Sequence, residues 1–181
     1  MGKVDRSGQS TVLTGSQIRQ VIDFARKPYC YVMAIAAYTG CRISESLSLR
    51  VENVQGNIIT FTKTKTGKPR SVNIHPDLAE ILQGELPTEG WLFPSNGARG
   101  GLGHLSRQAV DQHLRSVCLA LELKGVSTHS FRRSALTTMK NGGIPLKDIA
   151  AISGHSSLNE LSRYLEVSDQ DKQRAIAALC Y

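Results

Sequence analysis

Arg42 stands in the segment TGCRISE with Glu45 three residues on, and the turn TKTGKP carries Lys65 and Lys68, with Lys63 just before it and Arg70 just after. Farther along, THSFRR supplies His129, Arg132 and Arg133, a G-H pair supplies His155, and Tyr164 follows nine residues later. Together these are the parts needed to break a phosphodiester with a protein nucleophile. Two arginines can clamp the nonbridging oxygens bidentately and stabilise the charge that builds at phosphorus. Histidines can donate to those oxygens or move protons. A lysine on a turn can protonate the leaving oxygen. A tyrosine, weak as a nucleophile at its free pKa of about 10, becomes usable in so cationic a pocket. The sequence offers no cluster of metal ligands, and a cationic cage can replace the metal ions that many nucleases use. Taken singly, each group is weak: His and Arg three apart on a helix usually mark a solvated face or a hydrogen-bonded pair. The set and its order carry the reading.

The composition fits one such site on one domain. The 181 residues match a single domain, and an apolar fraction of 40% against 20% charged residues excludes a disordered chain. The longest apolar run, residues 29–38, is too short for a membrane span, and the amino terminus MGKVDRSGQST has no secretory apolar stretch. The expected location is the cytoplasm, with reduced thiols. Cys30, Cys41, Cys118 and Cys180 are scattered, which argues against a disulfide framework or a zinc site. The net charge of +7 attracts polyanions but does not by itself distinguish a nucleic-acid binder from a soluble cationic protein.

The elements that must position these residues follow from periodicity. After a polar arm, residues 1–13, Thr14 caps a helix with Ile18, Val21, Ile22 and Ala25 at helical spacing. Residues 29–38 read as a core helix ended by Gly40, and residues 43–49 as a short helix placing Arg42 and Glu45 on one side of a turn. Residues 57–62 and 70–74 read as a hairpin with a basic tip. Helices are expected at residues 76–82, 105–123, 128–140, 145–152, 157–165 and 169–179, with a Gly- and Pro-rich loop carrying Trp91 before the long one. The expected fold is mostly α (α+β), with one small antiparallel sheet.

In this order the motifs resemble the catalytic domain of the tyrosine site-specific recombinases, the phage-integrase family, over residues 14–179. The resemblance makes Arg42 the first catalytic arginine, Glu45 the acidic residue that supports the site, and His129 and Arg132 the family's H-x-x-R. His155 fills the position taken by His or Trp, and Tyr164 is the nucleophile. Lys65 is the hairpin lysine, preferred to Lys63 and Lys68 because K-T-G sets it beside the turn. Lys63, Lys68, Arg70, Arg107 and Arg133 are expected to contact DNA. Members cut one strand at a time, form a 3′-phosphotyrosyl link, release a 5′-hydroxyl and religate to another strand without metal or cofactor. The implied partners are a double-stranded recombination site, further copies of the chain as a tetramer on DNA, and accessory DNA-bending proteins, with no membrane.

This chain departs from the family pattern at Phe131 and Arg133, which flank the second arginine where Leu and His are usual, and at Ser153, where Leu usually precedes G-H. Residues 14–181 are expected to form the catalytic domain without the separate amino-terminal domain that closes a clamp on the duplex in typical relatives. Two other readings stay open: a type IB topoisomerase-like enzyme that religates the same strand, and a non-catalytic DNA-binding regulator derived from a recombinase.

Overall fold

The computed structural model describes residues 10–62, 64, 67–84, 86–95, 103–162, 172–173, 176–177 and 179. Thr14 closes the first turn of α1 (Gly15–Phe24) with a capping box: its hydroxyl accepts the Gln17 N–H at 3.2 Å, and Gln17 Oε1 accepts the Thr14 N–H at 3.0 Å. Helix α2 (Tyr29–Thr39) is buried at every position from Cys30 to Ala36, as its apolar run requires. Gly40 ends it in the left-handed region at φ 65°, a conformation that costs other residues about 1–2 kcal/mol. The chain then turns directly into α3 (Ile43–Leu47), a single turn.

Strands β1 (Val54–Gln55), β2 (Ile58–Phe61) and β3 (Arg70–Asn73) form an antiparallel meander in that order, with Ile59 opposite Val72 and Phe61 opposite Arg70. Four further helices carry the second half of the site or close the core: α4 (Pro76–Leu82), α5 (Arg107–Ala120), α6 (Thr128–Asn141) and α7 (Leu146–Ser153). A short α8 (Leu158–Ser162) follows. Helix α2 is the hub, packed against α1, α3, α4 and α6. A smaller cluster of Leu136, Ile149 and Leu161 holds α7 and α8 on α6, each buried side chain contributing about 1.5–3 kcal/mol. No helix among the described residues is long and apolar enough to cross a membrane.

The mostly α architecture with one small antiparallel sheet is the expected one, with local differences. The hairpin gains the two-residue β1, and α3 stops at Leu47 instead of continuing to residue 49. Helix α5 is shorter than residues 105–123 at both ends. Ser106 Oγ accepts the Ala109 N–H at 3.1 Å and so starts the helix after Leu105, whose own N–H bonds the Phe93 carbonyl at 2.9 Å. At the other end the backbone leaves the helix, and Glu122 takes φ 55°. Residues 1–9 of the arm, and most of the expected helix 169–179, lie outside the described residues.

Candidate active site

Arg132 is among the largest fully buried side chains, 2% exposed, on a helix that also buries Phe131, Ala135 and Leu136. A buried guanidinium is tolerated only where its N–H groups find acceptors. Here Nη1 donates to the carbonyls of Gly40 and Ser153, both at 2.8 Å. Those carbonyls lie at the carboxyl ends of α2 and α7, where unpaired C=O groups carry partial negative charge. One cation thus satisfies two helix ends and ties three helices together. Its Nη2 faces His155, 2.9 Å from Nε2 and 3.2 Å from Nδ1.

Arg42 sits at the start of α3, where Glu45 Oε2 accepts its backbone N–H at 2.8 Å and Oε1 takes its Nη1 at 3.4 Å. Glu45 is only 3% exposed, and a second arginine, Arg70 of β3, grips it through Nη2–Oε2 at 2.9 Å and Nη1–Oε1 at 3.3 Å. Arg70 Nε also donates to the Ile152 carbonyl at 2.9 Å, and its guanidinium lies 4.5 Å from the Phe61 ring centroid. Burial pushes the Glu45 carboxyl up, but the hydrogen bonds from Arg70 and the Arg42 backbone, with both positive charges, outweigh it and leave the pKa below the usual value. Glu45 is therefore an anion that fixes where Arg42 points.

The histidines approach from α6 and from the turn after α7. His129 Nε2 lies 3.4 Å from Arg107 Nη2 at the start of α5. Desolvation first, and then the charges of Arg107, Arg132 and Arg42, hold its pKa below the ordinary value. Burial and then Arg132 and Arg42 press His155 down to about 4, with Glu160 and Glu45 opposing. Glu160 of α8 closes the group through a 3.7 Å contact with Arg42 Nη2. Arg42, Glu45, His129, Arg132 and His155, spread over more than a hundred residues of chain, thus share one electrostatic neighbourhood. An anion entering it meets two arginines and two neutral imidazoles, an arrangement suited to charge developing on a phosphoryl group.

A family model described as the phage integrase family matches residues 11–171. The chain belongs to that family. A tyrosine recombinase of Pseudothermotoga lettingae is 27% identical over 172 residues, which cover 92% of this chain and 60% of the relative. The chain therefore spans less than two thirds of that family member. Among solved structures, the catalytic domain of bacteriophage HP1 integrase superposes with a TM-score of 0.69 at 24% identity, covering 94% of this chain and 95% of that domain. A XerH site-specific recombinase bound to its difH substrate superposes with a TM-score of 0.71 at 18% identity, over 97% of this chain and 56% of that one. The fold is that of the integrase catalytic domains.

Lys63, Lys65 and Tyr164 lie outside the described residues. Among the residues expected to contact DNA, Lys68 is exposed and Arg107 reaches the site through His129. Two of them are placed otherwise. Arg70 turns inward, its side chain 9% exposed, because Glu45 and the Ile152 carbonyl take its donors. Arg133 is half-buried and donates from Nη1 to the Ser10 carbonyl at 2.6 Å, holding the amino-terminal arm on α6. Sequence reasoning missed Arg70 as the partner of Glu45, although a two-residue strand period puts it on the same face as Val72. It also missed Glu160, whose spacing from Ser157 signals only a helix start.

Proposed function

We propose that this chain is the catalytic portion of a site-specific DNA recombinase of the integrase type, which cleaves one strand through a 3′-phosphotyrosyl intermediate and rejoins it to a partner strand. The observation that carries this reading is the convergence of Arg42 from the start of α3, His129 and Arg132 from α6, and His155 from the turn after α7, on one cationic centre built around buried Arg132. In this reading the hydroxyl oxygen of Tyr164 attacks the scissile phosphorus and the 5′-oxygen leaves. Arg42 and Arg132 hold the nonbridging oxygens, and their charge takes up what develops in the transition state. His129 and His155 donate to the same oxygens or pass protons, and Lys65 protonates the departing 5′-oxygen. Attack by a 5′-hydroxyl of another strand reverses these steps and frees the tyrosine, so the bond energy is kept in the covalent link and neither a metal nor a nucleotide cofactor is required. Glu45 does not touch the phosphate; it orients Arg42.

The partner is double-stranded DNA, on which the chain acts as a tetramer. The DNA-bound XerH structure of the same fold supports the choice of substrate. A pool of duplexes nicked near a randomised site tests the proposal, because the short fragment diffuses away and traps the adduct. The expected result is a protein–DNA band that survives denaturation and disappears in Tyr164→Phe. A band that persists in Tyr164→Phe refutes the assigned nucleophile. Supercoil relaxation without exchange of partner strands favours the topoisomerase-like alternative.

A further inference from the structure

Ser153 is completely buried at the carboxyl end of α7, and its hydroxyl has two neighbours. Its Oγ lies 2.6 Å from the Ile149 carbonyl, to which it donates, and 2.7 Å from His155 Nδ1. A serine hydroxyl has one proton. With that proton committed to Ile149, the oxygen faces Nδ1 as an acceptor only, so Nδ1 must carry the hydrogen. Arg132 Nη2 lies 2.9 Å from Nε2 and 3.2 Å from Nδ1, and a guanidinium has no lone pair with which to receive an N–H, so its shorter contact favours a bare Nε2 without deciding the tautomer by itself. The Ser153 hydroxyl, 2.7 Å from Nδ1, makes the choice.

The geometry points to Ser153 as a positioning residue that fixes the tautomer of His155, keeping the proton on Nδ1 and Nε2 bare in the resting protein. The resulting chain runs from Arg132 through His155 and Ser153 to the Ile149 carbonyl. The ring is also held by its main chain: the His155 N–H bonds the Ala150 carbonyl at 3.1 Å, just after Gly154 turns the backbone at φ 70°. The charges facing the imidazole are Arg132 from α6, Arg42 and Glu45 from the start of α3, and Glu160 from α8.

One consequence rests on the proposed function. A bare Nε2 cannot donate to a phosphate oxygen, so His155 must take up a proton when the phosphodiester arrives. The phosphate supplies the negative charge that makes this favourable, and Ser153 Oγ is already placed to accept from Nδ1 in the imidazolium. A side chain with no acceptor at position 153 frees the ring to carry its proton on Nε2, where it donates to the phosphate without titrating.

The test reads the tautomer directly, without DNA. In protein carrying 15N-histidine at pH 7, a long-range proton–nitrogen correlation spectrum, with the His155 signals identified by their loss in His155→Gln, is expected to show a protonated Nδ1 and a bare Nε2. Folded Ser153→Ala is expected to shift His155 toward the Nε2-protonated form. A protonated Nε2 in the unsubstituted protein, or an unchanged tautomer in folded Ser153→Ala, overturns the proposal. A second reading follows adduct formation against pH: the Nε2–H ring of Ser153→Ala donates to the phosphate without taking up a proton, so the alkaline limb is expected to move up by about one unit or more. An unmoved limb overturns the role in the reaction. Absence of any adduct in the unsubstituted protein counts against the recombinase reading instead, and the spectrum still decides the tautomer.

Discussion

Arg70→Met removes one charge from the site's support while keeping an unbranched apolar stem over Phe61. The substitution deletes both contacts to Glu45, at 2.9 and 3.3 Å, and the 2.9 Å bond from Nε to the Ile152 carbonyl. Glu45, 3% exposed, would keep only the Arg42 N–H and a 3.4 Å contact with Arg42 Nη1. Removing one partner of a buried pair typically costs about 3–5 kcal/mol because the other charge is left uncompensated. Arg42 remains, so the low end applies, about 3 kcal/mol, or about 6–12 °C in Tm for a chain of this size. Urea denaturation followed by circular dichroism at pH 7 measures it. The double variant Arg70→Met with Glu45→Gln is expected to recover most of the loss, since it removes the stranded charge. The pH dependence follows from the same pair. The Glu45 carboxyl has a folded pKa below its unfolded one, so its stabilisation is present above the unfolded value and is lost as pH falls through the lower, folded value. In Arg70→Met this acid-side loss is expected to shrink. A cost below about 1 kcal/mol, or a double variant no more stable than the single one, would refute the assignment of Arg70 as the strut of Glu45.

Other perturbations bear on neighbouring parts of the site. Gly154→Ala places a methyl group at φ 70° and 2.8 Å from Arg70 Nη1, a side chain committed to Glu45; in the same denaturation assay it is expected to cost about 2 kcal/mol more than Gly67→Ala, which carries the same backbone strain at φ 69° but meets nothing within 4 Å. His155, depressed to about 4, stabilises the fold fully above its unfolded pKa of about 6.5 and loses that contribution as pH falls toward 4; His155→Gln is expected to flatten the stability curve across this window, as read from urea midpoints. Glu160→Gln removes the carboxylate 3.7 Å from Arg42 Nη2 that competes with an incoming phosphate; nitrocellulose filter binding is expected to show DNA affinity raised by up to about fivefold at low salt, with the gain fading as salt rises.

The elements built from local pattern were legible. The apolar run at residues 29–38 announced the buried hub α2, Gly40 its end, and the β-branched alternation the strands on either side of the basic turn. The arginines and histidines of the site were legible as residue types in a given order. What they touch was not. Arg132 meets carbonyls 92 residues before it and 21 after it, a pairing set by helix packing that no local period encodes. Arg70 looked like one more cation beside Lys63, Lys65 and Lys68 because sequence proximity suggested a shared surface. Strand geometry turns it inward on the face it shares with Val72, where a buried carboxylate waits. Ser153 was noticed only as a departure from a common pattern, since its partners are a carbonyl one helical turn back and a ring beyond the helix end.

The central claim is that this centre of arginines and histidines activates Tyr164 to bond a DNA 3′-phosphate. Digesting the trapped protein–DNA adduct with trypsin and nuclease, and locating the nucleotide-bearing residue by mass spectrometry, addresses it most directly. The account predicts a nucleotide on the peptide containing Tyr164, with adduct yield reduced by at least about a hundredfold in Arg132→Ala. A nucleotide on any other residue, or an undiminished yield in Arg132→Ala, would contradict it.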